Sequence, residues 1–283
     1  MRVYISADME GVTGLVDSQD VQLGGGEYEY GRAMMTEDVN AAVRGALAAG
    51  AEYVLVNDSH MTMRNLLPDR IHPEAVLQRG KPKRHGMVEG LDGSYDAMLC
   101  IGYHARAGRL GVLSHSYMGH EIEDMWLDGR PTGEFGFAHA VAAAHGVPVV
   151  AVSGDDAACA EAAEWEPRIS RAVVKHAKDR FAARLVPPAE ARKAIEEACA
   201  EGVRAAAGGA RPADQAVGAD GRAVELAVRW QNASVASQLT AVPGVSLRDD
   251  RTVVVHGTAP DLFALFGVFM RVASNLTNQH PYC

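Results

Sequence analysis

The chain opens Arg2-Val3-Tyr4-Ile5-Ser6-Ala7-Asp8-Met9-Glu10-Gly11. Val3, Tyr4 and Ile5 favour a pleated, buried strand. The run then breaks into two carboxylates with one residue between them. In extended backbone, residues i and i+2 share a face, so Asp8 and Glu10 are expected to project from one side of the strand end. Gly11 and Gly14 let the chain turn away. Adjacent carboxylates repel unless a divalent metal or a shared proton lies between them.

The same pattern recurs along the chain. Tyr53-Val54-Leu55-Val56 is nearly all apolar, as suits a central strand of a parallel sheet covered on both faces, and it runs into Asn57-Asp58-Ser59-His60. Ala97-Met98-Leu99-Cys100-Ile101 runs into Gly102-Tyr103-His104-Ala105-Arg106, and Pro148 to Val152 into Gly154-Asp155-Asp156. Tyr28 to Gly50 carries Met34, Met35, Val39, Ala42, Val43 and Leu47 at helical spacing, with Gly50 as C-cap. Glu134 to His145 and Ala157 to Glu164 read as further helices. Met61 to Met87 is expected to be loop, Gly111 to Tyr117 extended, and Ile122 to Leu127 a strand ending in the hairpin signal Asp128-Gly129. Farther on come a helix over Pro188 to Ala207, a Gly/Ala loop to Gly221, strands over Ala223 to Trp230 and Thr252 to Gly257, and a helix over Asp261 to Asn275.

This order predicts an α/β fold: a largely parallel sheet sandwiched by helices, with a smaller α/β second part. A soft boundary near Glu164 to Pro167 gives a metal-binding catalytic α/β domain over 1–165 and a second α/β subdomain over 166–283; the alternative is one continuous domain. Ligands of open parallel sheets bind beyond the carboxyl ends of the strands. Asp8, Glu10, Asp58, His60, His104 and Asp155 all fall there.

A net charge of −9 argues against a nucleic-acid surface. Cys100, Cys159, Cys199 and Cys283 form no CxxC pair, so neither a zinc ribbon nor a disulfide scaffold is indicated. Met1 leads straight into a strand, and no apolar run reaches membrane-spanning length; the expectation is a soluble cytoplasmic protein. The candidate metal ligands are Asp8, Glu10, His60, His104 and Glu134. Mixed carboxylate and imidazole suit zinc, manganese or iron(II) better than calcium. Five ligands exceed the needs of one tetrahedral zinc, whereas a two-metal site with a bridging carboxylate uses them all. His115, in Ser114-His115-Ser116, is a further candidate for proton transfer. Each residue also has a structural role open to it: Glu134 as an acid at a helix start, Asp155 as a helix cap, the histidines as hydrogen-bonded core.

Six stretches, in order, resemble the zinc-dependent D-aminopeptidases associated with bacterial dipeptide-permease operons. They are Asp8-Met9-Glu10-Gly11, Val56-Asn57-Asp58-Ser59-His60, Met87-Val88-Glu89-Gly90-Leu91-Asp92, Gly102-Tyr103-His104-Ala105-Arg106-Ala107, Ser114-His115-Ser116 and Arg130-Pro131-Thr132-Gly133-Glu134. Beyond about Ala160 the resemblance thins to length, general pattern and an ending in Cys283. It implies that Asp8, Glu10, His60, His104 and Glu134 hold two zinc ions per subunit and that His115 is catalytic. It implies short peptides with an N-terminal D-amino acid as substrates, D-Ala-D-Ala among them, and a homodecamer with active sites facing an inner channel. The alternatives are another dinuclear-metal amidohydrolase or phosphoesterase, or a non-catalytic protein that binds peptides for dipeptide transport. A phosphoesterase finds little support in Arg106 as the one cation near the strand ends.

Overall fold

A computed structural model describes residues 1–212 and 216–277. Part of the expected Gly/Ala loop, and Cys283, lie outside them. The first half comprises β1 (Arg2–Ala7), α1 (Ser18–Val21), α2 (Tyr28–Ala48), β2 (Tyr53–Asp58), β3 (Ala75–Gln78) and β4 (Ala97–Tyr103). There follow β5 (Ile122–Leu127), β6 (Arg130–Pro131), α3 (Glu134–Ala144), β7 (Val149–Asp155), α4 (Asp156–Trp165), β8 (Ser170–Asp179) and β9 (Ala182–Leu185). The remainder is α5 (Pro188–Ala207), β10 (Val224–Trp230), α6 (Ala233–Leu239), β11 (Ser246–Asp249), β12 (Thr252–Gly257) and α7 (Ala259–Thr277).

Seven strands form one sheet in the order β3-β2-β1-β4-β7-β8-β9, parallel except for the β8–β9 hairpin. Five form a second, antiparallel sheet, β11-β12-β10-β5-β6. The period-2 alternation of side chains sorts the large sheet's residues between two cores. Val3, Ile5, Val54, Val56, Leu99 and Ile101 meet α2 and α5 through Met35, Val39, Ile195 and Val203. Tyr4, Leu55, Met98, Cys100 and Val152 face the other way, toward α3, α7 and the small sheet, where Phe137, Phe263, Phe266, Leu226 and Val253 complete the layer. The α/β layering with a mainly parallel sheet is as predicted. The boundary drawn at residue 165 runs through both sheets: β7 pairs in parallel with β8 across it, and β5 pairs with β10.

Three local expectations change. The 61–87 stretch contains β3, an edge strand whose side chains are only half buried, which is why no clean alternation marks it. Residues 111–117 are not extended: Leu113 and Tyr117 adopt φ of 54° and 55°. Their strand-favouring side chains yield to the loop that brings His115 against His104. Strand β8 follows the supposed boundary and was not predicted; its ladder to β7 is what joins the halves. By contrast, the Asp128-Gly129 hairpin is present, both residues having positive φ.

β1 lies between β2 and β4, so the chain leaves all three strands at one edge of the sheet. The ends of β1 and β4 approach unusually closely there: Gly11 N–H donates to the Gly102 carbonyl at 2.7 Å. A Cβ on Gly11 would collide with the Tyr103 carbonyl, and one on Gly102 with that of Asp8. Gly102 also has φ of +74°, a region costly for residues with side chains. Gly102→Ala is expected to cost about 2–4 kcal/mol through strain and overpacking combined. Urea unfolding would measure this, and a loss below about 0.5 kcal/mol would mean the strand ends can part without penalty.

Candidate active site

Six side chains converge at this edge, and none is more than 5 % exposed: Asp8, Glu10, His60, His104, His115 and Glu134. Asp8 follows β1 directly and continues its ladder, its N–H donating to Ile101. Glu10 is in the turn after it, not in extended backbone, so the turn and not the pleat brings the two carboxylates together. His60 and His104 follow β2 and β4. Glu134 is the first residue of α3, yet its carboxylate does not cap that helix; it accepts from Tyr117 N–H at 2.7 Å.

Each imidazole is oriented by a backbone carbonyl. His60 Nε2 lies 2.9 Å from the Val21 oxygen, His104 Nδ1 3.0 Å from that of Ala105, and His115 Nδ1 2.9 Å from that of Leu113. A carbonyl only accepts, so those nitrogens carry the hydrogen, and in the neutral ring the opposite nitrogen presents a lone pair. Those opposite nitrogens face carboxylates. His60 Nδ1 is 3.3 Å from Asp8 Oδ1 and 3.1 Å from Glu10 Oε2. His104 Nε2 is 3.4 Å from Asp8 Oδ2 and 3.2 Å from Glu134 Oε2. His115 Nε2 is 3.9 Å from Glu10 and 3.8 Å from Glu134, and its ring stacks on His104 with centroids 4.2 Å apart.

Lone pairs facing carboxylates across a dry space require a positive charge between them, a proton or a metal ion. The titration directions agree. Burial, reinforced by Glu10, raises Asp8 to about 7. Burial also works to raise Glu10, but His60 prevails and holds it well below the usual carboxylate range. Burial opposes charge on His60 and His104, yet Glu10 and Asp8 around the first, and Glu134 beside the second, raise both well above the ordinary imidazole range. His115 moves the other way, lowered by burial and by neighbouring His104. Two ligand groups share Asp8, one with Glu10 and His60, the other with His104 and Glu134. Both Asp8 oxygens, Glu10 Oε2 and His60 Nδ1 are buried without a hydrogen bond among the described residues. Such a donor set fits a pair of cations with Asp8 between them, and its carbonyl-anchored histidines are the usual outer support of metal sites.

Other strand-end residues have structural work. Asp58 accepts from the N–H groups of Asn65 and Leu66 at 2.6 and 2.8 Å, holding the loop after β2. Asp155 caps α4 through Ala158 N–H and also accepts from Val112 N–H, both at 2.7 Å. Arg106 pairs with Asp124 at 3.8 Å. Glu89 accepts from His85 N–H, and Asp155 spends both its oxygens on backbone N–H groups.

A supporting residue is invisible in the sequence. Lys175, on β8, is fully buried, and its Nζ donates to the carbonyls of Glu10, Val12 and Leu15 at 2.6, 2.9 and 2.6 Å. Burial lowers it to about 8, which leaves it charged at neutral pH with all three N–H bonds used. It fixes the loop that presents Glu10. Only the sheet order, which brings β8 beside β7, reveals it.

Fold and site together fit a metal-dependent hydrolytic enzyme of layered α/β architecture, with candidate ligands at the carboxyl edge of a parallel sheet. The chain belongs to the D-aminopeptidase family of peptidases. That family's profile matches residues 1–270. The chain is 36% identical over 285 residues to a D-aminopeptidase of Bacillus subtilis, covering all of both chains. It superposes on the solved structure described as the Zn-dependent D-aminopeptidase DppA from Bacillus subtilis, a self-compartmentalizing protease, with a TM-score of 0.92 at 34% identity. That superposition covers 98% of this chain and 99% of the other. The likeness thus runs through the second half as well, beyond the expected limit near Ala160.

Lys175→Met keeps the stem and removes three charged hydrogen bonds from buried carbonyls. A loss of about 2–5 kcal/mol is expected. Equal urea midpoints for the variant and the parent would show that water replaces the ammonium freely.

Proposed function

We propose that this protein is a zinc-dependent aminopeptidase that hydrolyses short peptides with an N-terminal D-amino acid, of the D-Ala-D-Ala type. In this reading Asp8, Glu10, His60, His104 and Glu134 hold two zinc ions per subunit, Asp8 bridging, and His115 is catalytic. The observation that carries it is the orientation of His60 and His104, whose carbonyl-anchored rings turn their other nitrogens onto the shared carboxylate of Asp8. Zinc in such a set supplies Lewis acidity and water ionised at ~pH 7. The family description and the relative in Bacillus subtilis support the D-peptide substrate class. The description of the solved relative as self-compartmentalizing supports a homo-oligomer, for which we propose a decamer. Cys100, Cys159 and Cys199 are buried free thiols, in keeping with a reducing, cytoplasmic setting. Among the described residues no helix is long and apolar enough to cross a membrane.

The chain's own groups divide the work. Asp8, Glu10 and Glu134 supply anionic donors that would offset most of the charge of two divalent cations. His115 is kept neutral by burial and by His104, and its Nδ1–H is committed to Leu113. Its Nε2 therefore accepts a proton from the attacking water and returns it to the leaving amine. The buried surroundings exclude competing water. The phosphoesterase alternative loses ground because Arg106 is engaged by Asp124.

Two outcomes are expected. Elemental analysis should give about two zinc ions per subunit, with chelator-sensitive cleavage of D-Ala-D-Ala and not of L-Ala-L-Ala. His115→Ala should keep the zinc and lower kcat roughly 10²–10⁴-fold, while Asp8→Ala should lose metal. An active His115→Ala enzyme would remove that residue from the mechanism, and full zinc in Asp8→Ala would remove the bridge.

A third outcome concerns pH. Asp8, raised to about 7, and the raised imidazoles hold protons where cations would sit. Metal uptake must displace them, so affinity falls as pH drops below about 7 and rises above it. Zinc titration calorimetry in buffers of different ionisation enthalpy should register proton release near neutrality. Uptake without proton release, with affinity flat from about pH 6 to 8, would contradict the assigned ligands.

A further inference from the structure

A cavity of about 150 Å³ opens onto Glu10 and His115, and its lining includes Arg180 and Phe181. These two residues form the turn between β8 and β9, which pair directly on either side of it. The turn is held to the catalytic loop: Leu113 N–H donates to the Arg180 carbonyl at 2.7 Å. Leu113 also accepts from His115, so one residue fixes both the imidazole and the turn. Asp179 accepts from the Arg180 backbone N–H at 2.7 Å. The guanidinium lies 5.4 Å over the Phe181 ring.

That guanidinium is partly exposed. Arg106 and Arg109, on the neighbouring loop, pair with Asp124 and Glu164. Arg180 has no carboxylate partner among the described residues, and its Nε is buried without a hydrogen bond among them. A cation that borders a small cavity and has no acid of its own is placed to receive an anion from the ligand. At the other wall stand Glu10 and His115. The cavity therefore has the candidate ligand cluster at one wall and a guanidinium at the other. A short peptide carries its amino group at one end and a carboxylate at the other. Each extended residue spans roughly 3.5 Å, so a peptide of two or three residues keeps its two ends within one small cavity.

We propose that Arg180 binds the α-carboxylate of the substrate and thereby selects di- and tripeptides with a free C-terminus. This rests on the aminopeptidase reading above and adds to it the other end of the substrate. Phe181 serves as the stacking platform that keeps the guanidinium planar to the carboxylate. A bidentate pair with the carboxylate strengthens binding only for substrates whose second or third residue ends the chain.

The test compares D-Ala-D-Ala with its C-terminal amide, in the zinc-loaded wild type and in Arg180→Gln and Arg180→Lys. For the wild type, kcat/KM for the free acid should exceed that for the amide by about tenfold or more. Arg180→Gln should lower kcat/KM for the acid roughly 10–100-fold, mainly through KM, and bring the acid-to-amide ratio toward one. Arg180→Lys should keep part of the preference, since it retains charge without the fork. Equal rates on acid and amide in the wild type would overturn the proposal without any variant. So would an Arg180→Gln enzyme, with its zinc intact, that loses acid and amide activity equally. Cleavage of neither peptide by the zinc-loaded wild type would instead sink the aminopeptidase reading, and this inference with it.

Discussion

Three carboxylates packed into a space closed to water cannot all stay ionised without positive charge among them. Asp8, Glu10 and Glu134 are in that situation, each about 2 % exposed or less. The surrounding structure answers it by direction as much as by proximity. Each of the three histidines spends one N–H on a main-chain oxygen, of Val21, Ala105 or Leu113, and so turns its other nitrogen toward the acids. A ring free to flip would offer its N–H to a carboxylate and quench the site. The carbonyl anchors prevent that, which makes the loops carrying Val21, Ala105 and Leu113 part of the centre.

Parallel topology makes this arrangement reachable. β2, β1 and β4 are adjacent and point the same way, so the residues following each strand emerge at one edge. Glu134 arrives from the helix that packs on the opposite core, and His115 from a loop folded back over His104. Five chain segments thus meet at one point, and what fixes them is mostly backbone hydrogen bonding. Gly11 and Gly102 let two strand ends come within a hydrogen bond of each other. Lys175 gathers three carbonyls of the segment after Glu10. The buried charge of Lys175 also lies behind an acidic cluster, where its field offsets part of the repulsion among the carboxylates.

The candidate site was legible in the sequence because Asp8, Glu10, His60 and His104 each follow an abrupt change. Val56 gives way to Asn57-Asp58-Ser59-His60, and Ile101 to Gly102-Tyr103-His104, so apolar strand and polar edge are both written in the local pattern. The nearly all-apolar run Tyr53-Val54-Leu55-Val56 marked a sheet covered on both faces. What stayed hidden depends on contacts distant in sequence. Lys175 and Arg180 sit on β8 and its turn, among residues as polar as any exposed strand, and nothing nearby marks one as buried and the other as lining a cavity. Only pairing of β8 with β7 brings them to the site. Residues 111–117 misled for the opposite reason: Val112, Leu113 and Tyr117 are strand formers locally, but Leu113 and Tyr117 adopt positive φ in the loop that stacks His115 on His104. Glu10 does lie beside Asp8, but through a turn and not through the pleat of a strand.

The same hidden strand changes how the two halves relate. Had residue 165 been a true division, the catalytic groups would belong to one side and the remainder would be an appendage. Instead β8 supplies the ammonium that braces the Glu10 loop, and the turn after it lines the cavity beside His115. The small sheet, through β5 and the hairpin at Asp128-Gly129, leads directly into Glu134 at the start of α3. Each half thus positions groups on which the other depends. A centre so assembled resists piecemeal opening: loosening β8 from β7 would release Lys175, then the Glu10 loop, then the contact between Glu10 and His60. Concentrated like charge makes this cooperativity matter, because a partly opened site would admit water, screen the carboxylates from their counter-charges and lose the geometry that orients them.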